Sequence, residues 1–164
     1  DYVQWQRGAT TKTPLPLMKS WVDTAYNRND TWLVLVFHGV DSLGYEALNS
    51  SLLDQYFQYI KSKQDKLWVA TFGDATRYMR EREAAKVTSS ENNGKIKVTL
   101  THALDKTQYY LPLTLKTYVP AEWKWVHIEQ GKHSNTIKPK KDEKGSYVLY
   151  QADVNNNGIT LSAR

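Results

Sequence analysis

The sequence predicts an α/β first half followed by a small, mainly antiparallel β domain. Three observations carry that expectation. Two apolar strand candidates alternate with amphipathic stretches over residues 1–87, a polar seam occupies 88–94, and short β candidates, the first strictly alternating, follow from 95 to 164. The length of 164 residues allows one ordinary domain or two small ones.

The first amphipathic stretch runs from Leu15 to Tyr26, where Leu15, Met18, Trp21, Val22 and Tyr26 recur at helical spacing. Trp32 to Phe37 is apolar throughout and rich in β-branched residues. It predicts a strand buried on both faces, the habit of parallel sheets. Asp41 to Tyr45 reads as a loop. Ser51 to Lys61 predicts a second helix, with Leu52, Leu53, Tyr56, Phe57 and Ile60 on one face. Leu67 to Phe72 predicts a second buried strand. Asp74 to Ala85 predicts a third helix capped at Gly73-Asp74, with Arg77, Arg80, Glu81, Arg82 and Glu83 on a solvated face. This order of helices and strands is the rhythm of a parallel sheet or barrel.

Thr88 to Gly94 ends in Asn-Gly and reads as a linker. Beyond it, β candidates lie at Lys95–Leu100, Leu113–Val119, Trp125–Ile128, Ser146–Tyr150 and Gly158–Leu161. Turn residues separate them at Gly131, Lys144-Gly145 and Asn155 to Gly158. Short strands with polar turns predict a β-sandwich-like domain.

Composition narrows the chemistry. The chain has no cysteine, which removes disulfides, thiolate metal ligands and a thiol nucleophile. No apolar run reaches the roughly 20 residues of a membrane span. The net charge is +5, and the basic residues after position 87 are spread along strands, so nucleic-acid binding is not expected. No phosphate-binding Gly-rich loop or Gly-x-Ser-x-Gly elbow occurs. Six Trp and eleven Tyr suit a sugar-handling protein or an aromatic core equally well. The opening at Asp1, without a signal-peptide pattern, leads us to expect a mature, trimmed or partial chain.

His38 follows the first apolar run directly, where parallel α/β folds present catalytic groups, and Gly39 lets the chain turn beneath it. A packed histidine capping a strand is the alternative. His102, His127 and His133 share no metal-binding spacing and read as surface or structural residues. Trp123, Trp125, Tyr147 and Tyr150 in the β-rich half could stack sugars, which keeps open a non-catalytic carbohydrate-binding or cell-surface function.

The segments Trp32 to Asp41 and Trp68 to Glu83, preceded by Asp1 to Gly8, resemble the end of the catalytic domain of polysaccharide deacetylases (carbohydrate esterase family 4, the NodB-homology proteins). The resemblance implies the C-terminal part of a distorted parallel α/β barrel and a hydrolase that removes acetyl groups from a glycan. It places the general acid on His38, within Val36-Phe37-His38, and puts Val36 beside the acetyl pocket. Asp1 would pair with the catalytic histidine, with Tyr2 and Trp5 as substrate contacts. The family's base and metal-ligand motifs do not occur in this chain. The resemblance therefore implies a zinc ion held by residues elsewhere, an upstream polypeptide completing the barrel, an acetylated polysaccharide as substrate, and a secreted, periplasmic or cell-surface location.

Overall fold

The computed structural model describes residues 3–28 and 30–164. The chain divides into two compact units, residues 1–70 and 71–164.

In the first unit, strand β1 (Val3–Gly8) pairs in parallel with β2 (Thr31–Val36), and helix α1 (Leu15–Asn27) connects them. A loop then leads to helix α2 (Ser50–Lys61). Pro16 lies in the first turn of α1, where its missing N–H costs nothing. Met18, Trp21, Val22 and Ala25 form the buried stripe of that helix. Asn49 caps α2 by accepting from the Ser51 N–H, and Leu53 and Tyr56 point into the same core as α1. Burial pushes the Tyr56 hydroxyl pKa upward.

The expected barrel is not formed. Among the described residues this unit holds two paired strands. All six residues of β2 are only half-buried, because β2 has a strand neighbour on one side alone. The second expected strand, Leu67 to Phe72, is absent. The Leu67 N–H instead bonds the Lys63 carbonyl in the turn after α2. Leu67 packs on the core, while Trp68 and Val69 are exposed. An apolar run becomes a strand only where a neighbouring strand accepts its backbone groups.

The second unit begins with helix α3 (Phe72–Ala84). Its cap is Thr71, not Gly73-Asp74. Thr71 Oγ1 accepts from the Asp74 N–H at 3.1 Å and donates to the Asp74 carboxylate at 2.9 Å, which closes the first turn reciprocally. The seam expected as a linker is strand β3 (Lys86–Asn92) and its turn into β4 (Lys95–Thr101). The chain continues through β5 (Leu113–Tyr118), β6 (Val126–Gln130), β7 (His133–Ile137), β8 (Lys140–Asp142), β9 (Gly145–Ala152) and β10 (Ile159–Ala163).

These strands form two antiparallel sheets, ordered β3-β4-β10-β6-β7 and β5-β9-β8. Ile96, Val98 and Leu100 of β4 meet Val148, Tyr150 and Ala152 of β9 in one buried cluster. Val126, Ile128, Ile159 and Leu161 join them there. The strict alternation of β4 and β9 is the sign of one face in the core and one in water. The β-sandwich-like expectation fits this half of the chain.

Glu81 departs from its expected solvated face. It is fully buried. Its Oε1 accepts from the Leu111 N–H at 3.1 Å, and its Oε2 lies 3.3 Å from His102 Nε2. The Asn155 side chain accepts from the His102 N–H and donates to the His102 carbonyl. Helix α3 is thereby bound to the segment before β5 and to the β9–β10 loop.

On the outer face of the three-stranded sheet, Lys116 pairs with Asp142, and its ammonium lies 4.1 Å from the Tyr147 ring centroid and 5.1 Å from that of Tyr118. Asp142 also accepts from the Tyr118 hydroxyl and from the Lys144 and Gly145 N–H groups. The Lys116 ammonium is the main reason the Asp142 carboxyl sits at about 2 instead of its ordinary 3.8.

Two outcomes follow from these contacts. Glu81→Ala strands the partners of a buried carboxylate and should lower the unfolding free energy by about 3–5 kcal/mol. Glu83→Ala, on the exposed side of α3, should change it by about 0.5 kcal/mol or less. Urea denaturation followed by circular dichroism distinguishes them, and equal losses would refute the role given to Glu81. The Asp142 value is lowered in the folded state, so its contribution to stability is complete above the ordinary carboxylate range. That contribution disappears as pH falls through about 2. An NMR titration should show that midpoint, and Lys116→Met should move it toward 3.8. An unmoved midpoint would mean the ammonium is not its cause.

Candidate functional site

Each unit presents residues that the sequence singles out. In the first unit, β2 ends at Val36, and the Phe37 ring packs edge-on against Tyr56 and Phe57 at 6.4 and 5.9 Å. His38 follows, exposed, with its ring 5.7 Å from the Tyr45 ring in an edge contact. The loop beneath it is tightly built. The Leu43 carbonyl occupies the space a side chain at position 39 would need, and Gly44 has φ +95°. Asp41 accepts from the Ser50 N–H at the start of α2 at 2.8 Å, and that bond lowers its pKa. Glu46 accepts from the hydroxyl and N–H of Thr11, and these bonds lower its pKa, with a smaller contribution from His38.

Val36 is half-buried at the end of β2, opposite Gly8. Trp5 sits further back along β1 opposite Leu33, half-buried, with the Arg7 guanidinium 3.9 Å over its ring. Asp1 and Tyr2 lie outside the described residues. The structure therefore brings His38 together with Tyr45 and Glu46, which the sequence did not single out. Among the described residues no three His, Asp or Glu side chains lie close enough to hold a metal ion.

In the second unit, the four aromatics divide. Trp123 and Tyr150 belong to the core, with the Tyr150 hydroxyl 2.9 Å from Thr117 Oγ1. Trp125 is 48% exposed, and Tyr147 is half-buried on the outer face of its sheet. Trp123 and Trp125 do not share a strand face, because β6 begins only at Val126.

The concave feature of this unit lies beside β9. Strand β8 pairs only with Gly145 to Tyr147, so residues 148–152 have a partner on one side alone, namely β5. Strand β7 likewise pairs only with β6. Between them is a cleft of about 500 Å³. Its apolar lining includes Ile128, Ile159, Leu149 and the Tyr150 ring. Its polar lining includes His133, Ser134, Asn135 and Gln151. The Gln130 side chain locks one end, donating to the Asp153 and Asn157 carbonyls and accepting from the Asp153 N–H. Among the described residues the His133 imidazole, the Ser134 hydroxyl and the Asn135 amide nitrogen make no hydrogen bond. Gln151 donates to Thr114 and keeps its carbonyl oxygen free in the same sense. The lining carries one carboxylate, Asp153, and no lysine or arginine.

Sequence reasoning missed this cleft. Its polar residues lie on three separate segments, and β7 carries no apolar alternation to announce a strand. Of the cleft's lining, the sequence singled out Tyr150 as an aromatic and read His133 as a surface or structural residue.

Among the described residues no helix is long and apolar enough to cross a membrane. No family model and no solved structure matches the chain. The deacetylase resemblance is thus overturned: no family model supports it, and no barrel is present. The chain is instead similar to part of gellan lyase from Bacillus sp., 25% identical over 154 residues. The match covers 89% of this chain and spans 6% of that protein's length.

Proposed function

We propose that this chain is a carbohydrate-associated part of a polysaccharide-processing protein, and that its β-rich unit binds glycan without catalysing a reaction. The observation that carries the proposal is the cleft beside β9, with its unengaged amide and imidazole groups over an aliphatic and aromatic wall. A sugar hydroxyl both donates and accepts. Amides and a neutral imidazole do the same, so such a lining satisfies a polyol in several orientations. The apolar wall suits the C–H face of a pyranose ring. The volume falls in the range of ordinary ligand pockets, roughly 300–1,000 Å³.

The similarity to a stretch of gellan lyase supports the glycan assignment. That stretch is a small fraction of the longer protein, which is the expected proportion for an accessory module. A lining without lysine or arginine favours hydroxyl recognition over capture of an anion. In this reading the protein works where polysaccharide is met, in secretion, in the periplasm or at the cell surface.

Isothermal titration of the full chain with soluble gellan and with a neutral β-glucan tests the proposal. Saturable binding to at least one polymer is expected. Replacing Asn135 and Gln151 together with alanine should weaken it by about tenfold. Absence of saturable binding to both polymers would overturn the reading.

A further inference from the structure

The cleft does not end at its own walls. Leu149 and Gln151 line it, and both are exposed residues of β9, whose buried set is Ser146, Val148, Tyr150 and Ala152. Successive outward residues of β9 are therefore Gln151, Leu149 and Tyr147, a row roughly 13 Å long at the rise of a strand. The register sets Thr114 beside Gln151, Lys116 beside Leu149, and Tyr118 beside Tyr147 on the same face. Lys140 stands on the other side of Tyr147. The Tyr118 and Tyr147 rings lie 6.1 Å apart at 66°. Over them is the Lys116 ammonium, held in place by Asp142.

From this row the geometry points to an extended binding track for a linear glycan several rings long, running from the cleft past Leu149 to the Tyr118–Tyr147 pair. The inference rests on the carbohydrate reading of the cleft and adds its substrate class: an internal stretch of a polymer, not a single sugar or a chain end. Three features support it. The cleft is open beside β9, because β8 begins only at Lys140, opposite Tyr147, and leaves the edge of residues 148–152 uncovered. Leu149, 42% exposed, continues the apolar wall from the cleft onto the sheet face. Lys116 and Lys140 then place donors beside the aromatic pair, where ring hydroxyls of a further sugar unit would lie. A strand face carrying aromatic, aliphatic and amide side chains in register suits a polymer that repeats its own contacts.

A length series decides it. The full chain is titrated with gellan-derived oligosaccharides from disaccharide upward. The expected result is an affinity that rises by about tenfold between the disaccharide and fragments long enough to reach Tyr147, the scale of one well-placed aromatic contact. In the Tyr118→Ala/Tyr147→Ala double variant, with its fold checked by circular dichroism, that ratio should fall to about one. Equal affinity of the wild-type chain for short and long fragments would overturn the track while leaving the cleft reading intact. Binding of no fragment, together with none of the polymers, would overturn the carbohydrate reading beneath it. A double variant that keeps the full length dependence would show that the track runs elsewhere.

Discussion

The buried carboxylate of Glu81 is the constraint on which the second unit depends. A charged side chain is costly to remove from water, and it is tolerated where its polar atoms find partners. Here one oxygen takes the Leu111 N–H and the other faces His102 Nε2. Asn155 donates to the His102 carbonyl, and the same amide nitrogen lies 3.4 Å from Nδ1. One carboxylate thus couples a helix, the entry to β5 and the loop before β10. Apolar packing alone would let α3 slide over the sandwich, because it is non-directional. The hydrogen-bonded carboxylate specifies one position.

The candidate site arises from an imbalance between the two sheets. Five strands face three. Strand β8 begins only at Lys140, directly after Pro139, and the chain reverses at its far end: Asp142 accepts from the N–H groups of Lys144 and Gly145, and Gly145 adopts φ +135°. A side chain at that φ would be strained, so the reversal depends on glycine. The edge of β9 beyond Tyr147 is left uncovered because β8 has no residue paired past Lys140. Free edges are hazards in a β protein, since they invite another chain to pair. Here the edge is flanked by a polar-lined cleft and by charged residues on the neighbouring face.

The similarity to a stretch of gellan lyase supports the carbohydrate reading proposed for the β-rich unit. A fold of this kind hosts many functions, and the argument for glycan binding has to come from the side chains at the cleft. The deacetylase resemblance shows the converse risk. It rested on the segments Trp32 to Asp41 and Trp68 to Glu83, preceded by Asp1 to Gly8, and local segments of that kind say nothing about whether a third strand stands beside the second. Among the described residues, the strands of the first unit are β1 and β2.

What the sequence determined by itself was local and periodic. The stripes of α1 and α2 and the alternation of β4, β5, β6, β9 and β10 are legible because burying one face of an element requires a repeat near 3.6 or 2 residues. Polar strands lack that mark. Strands β3, β7 and β8 form because a neighbour's backbone accepts theirs, and no residue pattern announces it. The same reason explains Leu67 to Phe72, largely apolar yet no strand, and Glu81, one charge in a charged helix yet sealed within the unit. The cleft is the furthest case. His133, Asn135, Gln151 and Asp153 become neighbours only when β7 and β9 stand apart by one missing strand, a fact of the sheets' closure that belongs to no segment of the chain.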